Sequence, residues 1–450
     1  MNDLLQQAAA RAQRYLAELD TRSVRPTSAA LNGLTRFERS MPEQPVAAAE
    51  VLAELDDFGS PATMATAGPR FFGFVMGGSL PVTVAASWLA AAWDQNAGLV
   101  VSSPVGAMLE KVALGWLLEV LGLPRDCAGG FVTSATAANF TALAAARHAL
   151  LAREGWDVEA QGLFGAPPID VVVSEEVHAS AEKALAMVGL GRARVRRVPC
   201  DANGQMLLEH LPALTRRCVV CVQAGNVNTG GFDPIAAICE RARAAGAWVH
   251  VDGAFGLWAS AAPAYAHLTR GVELADSWAA DAHKWLNVPY DSGLVFVRDS
   301  RAIRAAMSAT GAYLSQAEDR VPYQYTPDFS RRARGIEVWA ALRQLGRGGL
   351  AQLIERTCRL AQRFASELAR HGYAILCDVQ LNQVLVSFGS AEKTRAVIDG
   401  IQADGTCWCG GTTWHGQTAM RISVSCWATT ESDVDKSVAA MLRIAQATSC

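Results

Sequence analysis

The middle of the chain alternates short apolar runs with helical stretches, and this alternation constrains the fold more than any other feature. The runs are rich in β-branched residues on both faces, as in DVVVS at Asp170–Ser174 and WVHVD at Trp248–Asp252. Such strands need cover on both sides, which helices between parallel strands provide. The pattern predicts an α/β fold with a mostly parallel central sheet. Further predicted elements are the strands Arg194–Val198, Cys218–Val222, Ser277–Ala280 and Gly293–Val297 and the helices His178–Gly189, Leu207–Leu214 and Pro234–Ala245.

The composition is that of a globular protein. The 450 residues are 51% hydrophobic and 18% charged, which is far from the charge-rich signature of disorder. A net charge of -3 offers no global basic field for nucleic acid or an anionic membrane. The most apolar segment, Leu80–Trp93, is too short to span a bilayer. Because the N-terminus lacks the basic head and apolar core of a signal peptide, we expect a cytoplasmic protein.

The C-terminal part of the sequence follows a different, α+β pattern. We therefore predict a helical N-terminal segment at 1–65, a large α/β domain at 66–335 and a smaller α+β domain at 336–450. The elements predicted in the last of these are helices at Arg334–Leu345, Leu350–His371, Glu392–Gln402 and Glu431–Ala447, with strands at Val384–Phe388 and Ala419–Cys426.

Eleven cysteines raise the question of a metal site. Cys218 and Cys221 lie three apart in a predicted strand and so point to opposite faces, which prevents chelation. Cys407 and Cys409 have His415 nearby but lack the spacing and the fourth ligand of a zinc site. We predict unpaired structural thiols and no metal.

Lys284 lies in AADAHKWLNVPYDSG at positions 279–293, directly after an apolar strand. Most lysines are solvated surface residues. Here, however, burial beside Trp285 and Leu286 would desolvate the ammonium, lower its pKa and free the amine for Schiff-base chemistry.

Asp252 ends the strand WVHVD and is followed by Gly-Ala. A carboxylate in this position suits a charge partner for a protonated ring nitrogen. The alternative interpretation is a turn or capping aspartate, which is common at strand ends.

The segment GGFVTSATAANFTALAAARHAL at 129–150 passes from an apolar run through Thr-Ser-Ala-Thr into an Ala-rich helix. Hydroxyls and free N–H groups at a helix N-terminus can hold a phosphate. An ordinary capped helix is the alternative, and the lysine of a P-loop is absent.

The three features occur in the order phosphate loop, aspartate, lysine, with 32 positions between the last two. In this arrangement the sequence resembles the pyridoxal-5'-phosphate (PLP) dependent group II amino acid decarboxylases, in a divergent, bacterial-like branch. The matching segments span roughly residues 45 to 430: RFFGFVMGGS, GGFVTSATAANFTAL, VSEEVHASAEKAL, AGNVNTGGFDP, WVHVDGAFG and DAHKWLNVPYDSG. The resemblance implies the PLP-dependent transferase fold type I, as in aspartate aminotransferase.

The resemblance also implies the roles of the site residues. Lys284 would form the Schiff base, Asp252 would pair with the pyridine nitrogen, and Ala254 and His178 would contact the two faces of the ring. Phe72 and Phe74 would line the substrate entrance, although a core aromatic cluster fits them equally. The phosphate would be held by Ser134, Ala135 and Thr136, with Asp281 and His283 nearby.

The implied reaction is decarboxylation of an L-amino acid, with a weak hint of an aromatic side chain. In the family a loop tyrosine protonates the product carbon, and relatives with phenylalanine there form aldehydes. The loop in this chain is Tyr313–Phe329, where Tyr323 or Tyr325 could act, and ordinary loop aromatics are the alternative. At Gln223 the aromatic decarboxylases tend to have threonine, which leaves the substrate open.

Four rival functions remain at this point. An aminotransferase would need an arginine for the substrate carboxylate, and Arg421 is a candidate. A decarboxylating aldehyde synthase and a carbon–carbon lyase share the fold. A non-enzymatic binding protein is disfavoured, because binding alone would not require Lys284, Asp252 and His178 together. The resemblance further implies a homodimer with the active site at the subunit interface.

Overall fold

The protein is described by a computed structural model that covers residues 1–309 and 320–448. Its main element is a seven-stranded sheet in the order β1-β7-β6-β5-β4-β2-β3. Five neighbouring strands are parallel, and β7 runs antiparallel to both β6 and β1. The predicted mostly parallel α/β sheet is thereby confirmed. The strands are β1 (Ala128–Val132), β2 (Asp170–Ser174), β3 (Arg196–Val198), β4 (Cys218–Gln223), β5 (Trp248–Asp252), β6 (Ser277–Asp281) and β7 (Gly293–Val297).

The sheet is buried on both faces, as its sequence pattern requires. Successive residues of one strand enter different cores: Val219 packs on one side of the sheet and Val220 on the other. Both side chains are fully buried. Alternation of apolar side chains between two helical layers is the reason why these strands show no polar face.

Fourteen helices are present in the part of the chain that the structure describes. Helix α7 contacts β5, β6 and β7 and thus covers one face of the sheet beside the strand ends. The helices are α1 (Asn2–Glu18), α2 (Ser28–Gly33), α3 (Ala48–Glu54), α4 (Ser60–Ala62), α5 (Pro81–Trp93), α6 (Pro104–Val120), α7 (Ala135–Ala152), α8 (Val158–Gln161), α9 (Ala179–Met187), α10 (Ile235–Ala245), α11 (Ser300–Met307), α12 (Gly335–Arg370), α13 (Ala391–Asp404) and α14 (Glu431–Ala447).

A second, antiparallel sheet lies in the C-terminal part, in the order β10-β11-β9-β8. Its apolar face packs with α12, α13 and α14 around Phe364 and Met441. The domain boundaries at 65 and 335 stay a prediction. The strands are β8 (Ala374–Ile375), β9 (Gln383–Ser387), β10 (Gly410–Trp414) and β11 (Gln417–Ser423).

Several local predictions need correction. The predicted helix Leu207–Leu214 is a single short turn at Leu208–His210, because Pro212 has no N–H to continue a helix. Strands β8 and β10 were missed, since β8 is only two residues long and β10 begins Gly-Gly. The two helices predicted around Gly346 form one element with a break at that residue, whose φ of 59° is left-handed.

A search of the described residues for a helix long and apolar enough to cross a bilayer found none.

Candidate active site

The predicted site residues meet at one edge of the large sheet. Because β7 is antiparallel to both of its neighbours, β1 runs in the same direction as β2, β5 and β6. Ser134 follows β1, His178 follows β2, Asp252 ends β5, and Lys284 follows β6. The carboxyl ends of these strands therefore bring together four side chains that lie far apart in sequence.

Lys284 has a charge partner that the sequence did not reveal. Its Nζ atom lies 3.0 Å from Oδ2 of Asp281, and the side chain is 18% exposed. The sequence predicted an apolar environment that desolvates the ammonium, whereas the structure places a carboxylate beside it. A Cβ atom on Gly77 would lie 1.9 Å from the carbonyl oxygen of Lys284, so only glycine lets the backbone at residue 77 pack against the lysine.

Asp281 links Lys284 to the beginning of α7. Its Oδ1 atom accepts a hydrogen bond from the N–H of Ala135 at 2.6 Å. The Nε2 atom of His283 lies 3.6 Å from Oδ2 of Asp281. Because Nδ1 of His283 accepts the N–H of Ser292, the proton of the neutral ring lies on Nε2. Burial lowers the pKa of His283 and favours this neutral form.

Asp252 is buried, and hydrogen bonds hold its carboxylate in place. Oδ1 accepts the N–H of Ala254 at 3.2 Å, and Oδ2 accepts the side-chain amide of Asn139 at 2.9 Å. Asn139 was not predicted as a site residue. It lies in the Ala-rich helix α7 five positions after Ser134, and only the packing of α7 over β5 shows that it reaches Asp252.

His178 caps helix α9 at the same site. Its Nδ1 atom accepts the N–H of Ser180 at 3.2 Å. The side chain is exposed to solvent in the single chain, and partial desolvation by the surrounding protein atoms lowers its pKa. The charges of Asp252, Lys284 and Arg421 also act on this pKa, the first raising it and the others lowering it. His178 and Arg421 therefore lie within electrostatic range of the lysine and the aspartate.

The predicted phosphate cradle lies at the N-terminus of α7. Ser134 is its N-cap, and the hydroxyl accepts the N–H of Ala137 at 3.5 Å. Thr136 lies in the first turn and Ala135 begins the helix. A Cβ atom on Gly293 would lie 2.5 Å from the carbonyl carbon of Ser134, so β7 holds the cradle by direct backbone contact.

Gln223 carries an unpaired buried donor at the site. It ends β4, is 4% exposed, and pairs in register with Asp252, so the two side chains leave the sheet on the same face. Its Nε2 atom has no hydrogen-bond partner among the described residues. An unpaired buried amide is costly, so this donor points to a ligand atom that accepts its hydrogen bond.

The predicted entrance aromatics separate in the structure. Phe72 is 1% exposed and packs edge-on against Phe364 in the C-terminal core, so its prediction as an entrance residue is corrected to the core alternative. Phe74 is 56% exposed, with its ring 5.1 Å from that of Trp408. The two rings separate where the chain leaves the extended conformation, since Phe74 and Val75 have left-handed φ values of 54° and 59°.

The two candidate tyrosines lie in a short helical turn, Pro322–Tyr325. Both are buried, and Tyr323 packs its ring 4.6 Å from Phe329. Within the described residues no hydrogen bond joins either tyrosine to Lys284 or Asp252. Residues 313–319 of the predicted loop lie outside the described residues, and the role of Tyr323 stays a prediction.

The arrangement fits PLP at each of its reactive groups. An amine for the aldehyde, a carboxylate for the ring nitrogen and a helix N-terminus for the phosphate lie at one sheet edge. The unpaired amide of Gln223 adds a donor beside the ring position. The fold and these side chains define a PLP-dependent enzyme of fold type I.

Comparison with known proteins identifies the family. The profile of the pyridoxal-dependent decarboxylase conserved domain matches residues 32–390, and the chain belongs to this family of carboxy-lyases. It is 27% identical to tryptophan decarboxylase 1 of Oryza sativa over 398 residues, which cover 80% of the chain and 76% of the relative. It is 31% identical to an acidic amino acid decarboxylase of Xenopus tropicalis over 331 residues, which cover 70% and 63%.

The fold is also shared with solved structures. The crystal structure of Oryza sativa TDC with PLP and tryptamine superposes with a TM-score of 0.92 at 22% identity. The match covers 99% of this chain and 97% of that one.

The close contact at Gly293 generates a prediction. In Gly293→Ala the new Cβ must displace the backbone of Ser134, so we expect PLP to bind at least about tenfold more weakly. Gly115→Ala is the control, because a Cβ there meets nothing within 4 Å. The dissociation constant is measured by absorbance titration of the apoprotein. Equal affinity in the two variants would show that the cradle does not depend on this contact.

Proposed function

We propose that the protein decarboxylates an L-amino acid to the amine and carbon dioxide. The observation that carries the proposal is the meeting of Lys284, Asp252 and His178 at one sheet edge in a chain of the decarboxylase family. Lys284 would bind the cofactor aldehyde, and Asp252 would pair with the ring nitrogen. His178 and Ala254 would contact the ring faces.

When bound, PLP would supply an electron sink for the breaking of a bond to the substrate Cα. The residues of this chain would hold the cofactor in place. Asp252, as the ionised acceptor, keeps a proton on the ring nitrogen and stabilises the cationic ring. The first turn of α7, with Ser134, Ala135 and Thr136, would hold the phosphate. Asp281, which also binds the first N–H of α7, orients the Nζ atom of Lys284.

We infer the substrate class from Phe74, the predicted entrance residue that remains exposed. The exposed ring of Phe74 and its contact with Trp408 favour an aromatic side chain. Tryptophan decarboxylase 1 is among the relatives, in agreement with this choice, whereas the acidic amino acid decarboxylase points to a charged substrate. We take aromatic amino acids as the first class to test.

An aminotransferase is the second candidate, and Arg421 favours it. Its guanidinium is partly buried on β11, and desolvation lowers its pKa. Within the described residues it donates to Asn228 at 3.3 Å but has no carboxylate partner. A partly buried cation without a counter-ion suits the substrate α-carboxylate that an aminotransferase must retain.

We also propose that two copies form a cytoplasmic homodimer with the active site at their interface. Exposed apolar side chains lie close together in sequence on α5, on α6 and between them: Trp88, Leu89, Trp93, Val100, Val101, Val105 and Met108. Apolar surface of this extent is typical of an interface. The ten cysteines that the structure describes are all unpaired, in agreement with a reducing compartment.

Covalent trapping tests the lysine. Borohydride reduction of the protein loaded with PLP should leave the cofactor mass on the peptide that contains Lys284, as found by mass spectrometry. Lys284→Ala should lose the adduct and the visible absorbance. Lys183→Ala, at an exposed lysine of α9, is the matched control and should retain both. An adduct on another lysine of the wild-type protein would contradict the assignment.

The products decide the reaction. The holoenzyme is incubated with a panel of L-amino acids, and carbon dioxide, amine, aldehyde and keto acid are measured together. We expect amine and carbon dioxide in equal amounts, with the highest kcat/KM for an aromatic substrate. Keto acid without carbon dioxide would establish the aminotransferase instead, and aldehyde with carbon dioxide would establish an aldehyde synthase.

Light scattering tests the dimer. The wild-type protein should have twice the mass of one chain, and Val101→Glu should shift it toward the monomer, because a buried unpaired charge opposes association. Phe164→Glu is the control, since Phe164 is 98% exposed and lies outside the apolar surface. A wild-type mass of one chain would refute the proposal.

A further inference from the structure

A chain of hydrogen bonds runs through the core and ends on Asp252. The indole Nε1 of Trp248 donates to Oγ of Ser277 at 2.9 Å, and this hydroxyl lies 2.9 Å from Nδ1 of His250. Nε2 of His250 lies 2.9 Å from Oδ1 of Asn139, whose amide donates to Oδ2 of Asp252 at 2.9 Å. The chain joins β5, β6 and α7.

The two ends of the chain fix its direction. An indole N–H can only donate, and an ionised carboxylate can only accept. At the carboxylate end Asn139 turns its amide to Asp252 and its oxygen to His250, so Nε2 of His250 must carry a proton. In a neutral ring Nδ1 is then an acceptor. The Ser277 hydroxyl therefore accepts a hydrogen bond from the indole N–H and donates its own proton to Nδ1.

Burial reinforces this arrangement. Asn139, His250 and Ser277 are each 0% exposed, so water cannot replace a missing partner. Burial also lowers the pKa of His250 to about 4, so its ring stays neutral at physiological pH. Asp252 is then the one ionised member, and its charge is stabilised by donors that add no positive charge.

We propose that Asn139 and His250 are positioning residues that fix Asp252 as an oriented, ionised acceptor for the cofactor ring nitrogen. The inference rests on the proposed role of Asp252. Each carboxylate oxygen receives one hydrogen bond, from Asn139 or from Ala254. Since a carboxylate offers about four lone-pair directions, acceptor capacity remains for the ring N–H. Neither positioning residue needs to touch the cofactor.

Isosteric variants test the chain through cofactor affinity. Asn139→Leu removes the donor to Asp252, and we expect PLP to bind at least about tenfold more weakly. Thr141→Val is the matched control, because Thr141 is equally buried on α7 but bonds only to the carbonyl of Ala137. His250→Leu should weaken binding, whereas His250→Gln retains a donor toward Asn139 and should restore most of the affinity. Circular dichroism of each apoprotein verifies folding.

A second measurement needs no cofactor and does not depend on the Asn139 variant. In the apoprotein labelled with ¹⁵N-histidine, NMR should show a His250 ring that is neutral, protonated on Nε2 and unchanged between about pH 6 and pH 9. The His250→Gln spectrum assigns this signal. A His250 ring that titrates in this range, or one protonated on Nδ1, would overturn the inference even if the Asn139 variant fails to fold.

The outcomes separate the inference from the proposed function. If the wild-type protein forms no adduct with PLP at Lys284, the proposed function fails, whatever the histidine signal shows. If the wild-type protein binds PLP normally and Asn139→Leu matches Thr141→Val in affinity, the positioning role fails while the function stands.

Discussion

The buried carboxylate of Asp252 is the group on which the rest of the site depends. A charge in a protein interior is tolerated only when it is hydrogen-bonded or paired, and the free energy required is large. Asn139 and the backbone of Ala254 supply neutral donors, so the carboxylate retains its charge for a cationic ring. An arginine or lysine in direct contact with this carboxylate would have neutralised its charge before a cofactor arrived.

The second carboxylate, Asp281, has a different task because it lies on another strand. It ends β6, accepts the first N–H of α7 and pairs with Lys284. The sheet therefore separates two acidic groups, the proposed partner of the cofactor ring and the observed partner of Lys284 and Ala135. Both carboxylates still reach the same site, because β5 and β6 are parallel and their carboxyl ends lie at the same edge of the sheet.

The sequence was sufficient to predict which residues lie at the strand ends, but not which side chains of the helices contact them. Asp252 and Lys284 could be found because each follows an apolar run whose direction in a parallel sheet is fixed. Asn139 could not, since an asparagine in an Ala-rich helix carries no signal until the helix is packed. The orphaned amide of Gln223 and the core position of Phe72 likewise depend on tertiary packing. Two-residue β8 is too short for any periodicity to reveal.

The protonation state of the cofactor ring tests the account most directly. PLP labelled with ¹⁵N in the ring is bound to the wild-type protein and to Asp252→Leu, and the ring nitrogen is observed by NMR. The account predicts a protonated nitrogen across neutral pH in the wild-type protein and an unprotonated one in the variant. An unprotonated ring in the wild-type protein, or the same signal in both, would contradict it.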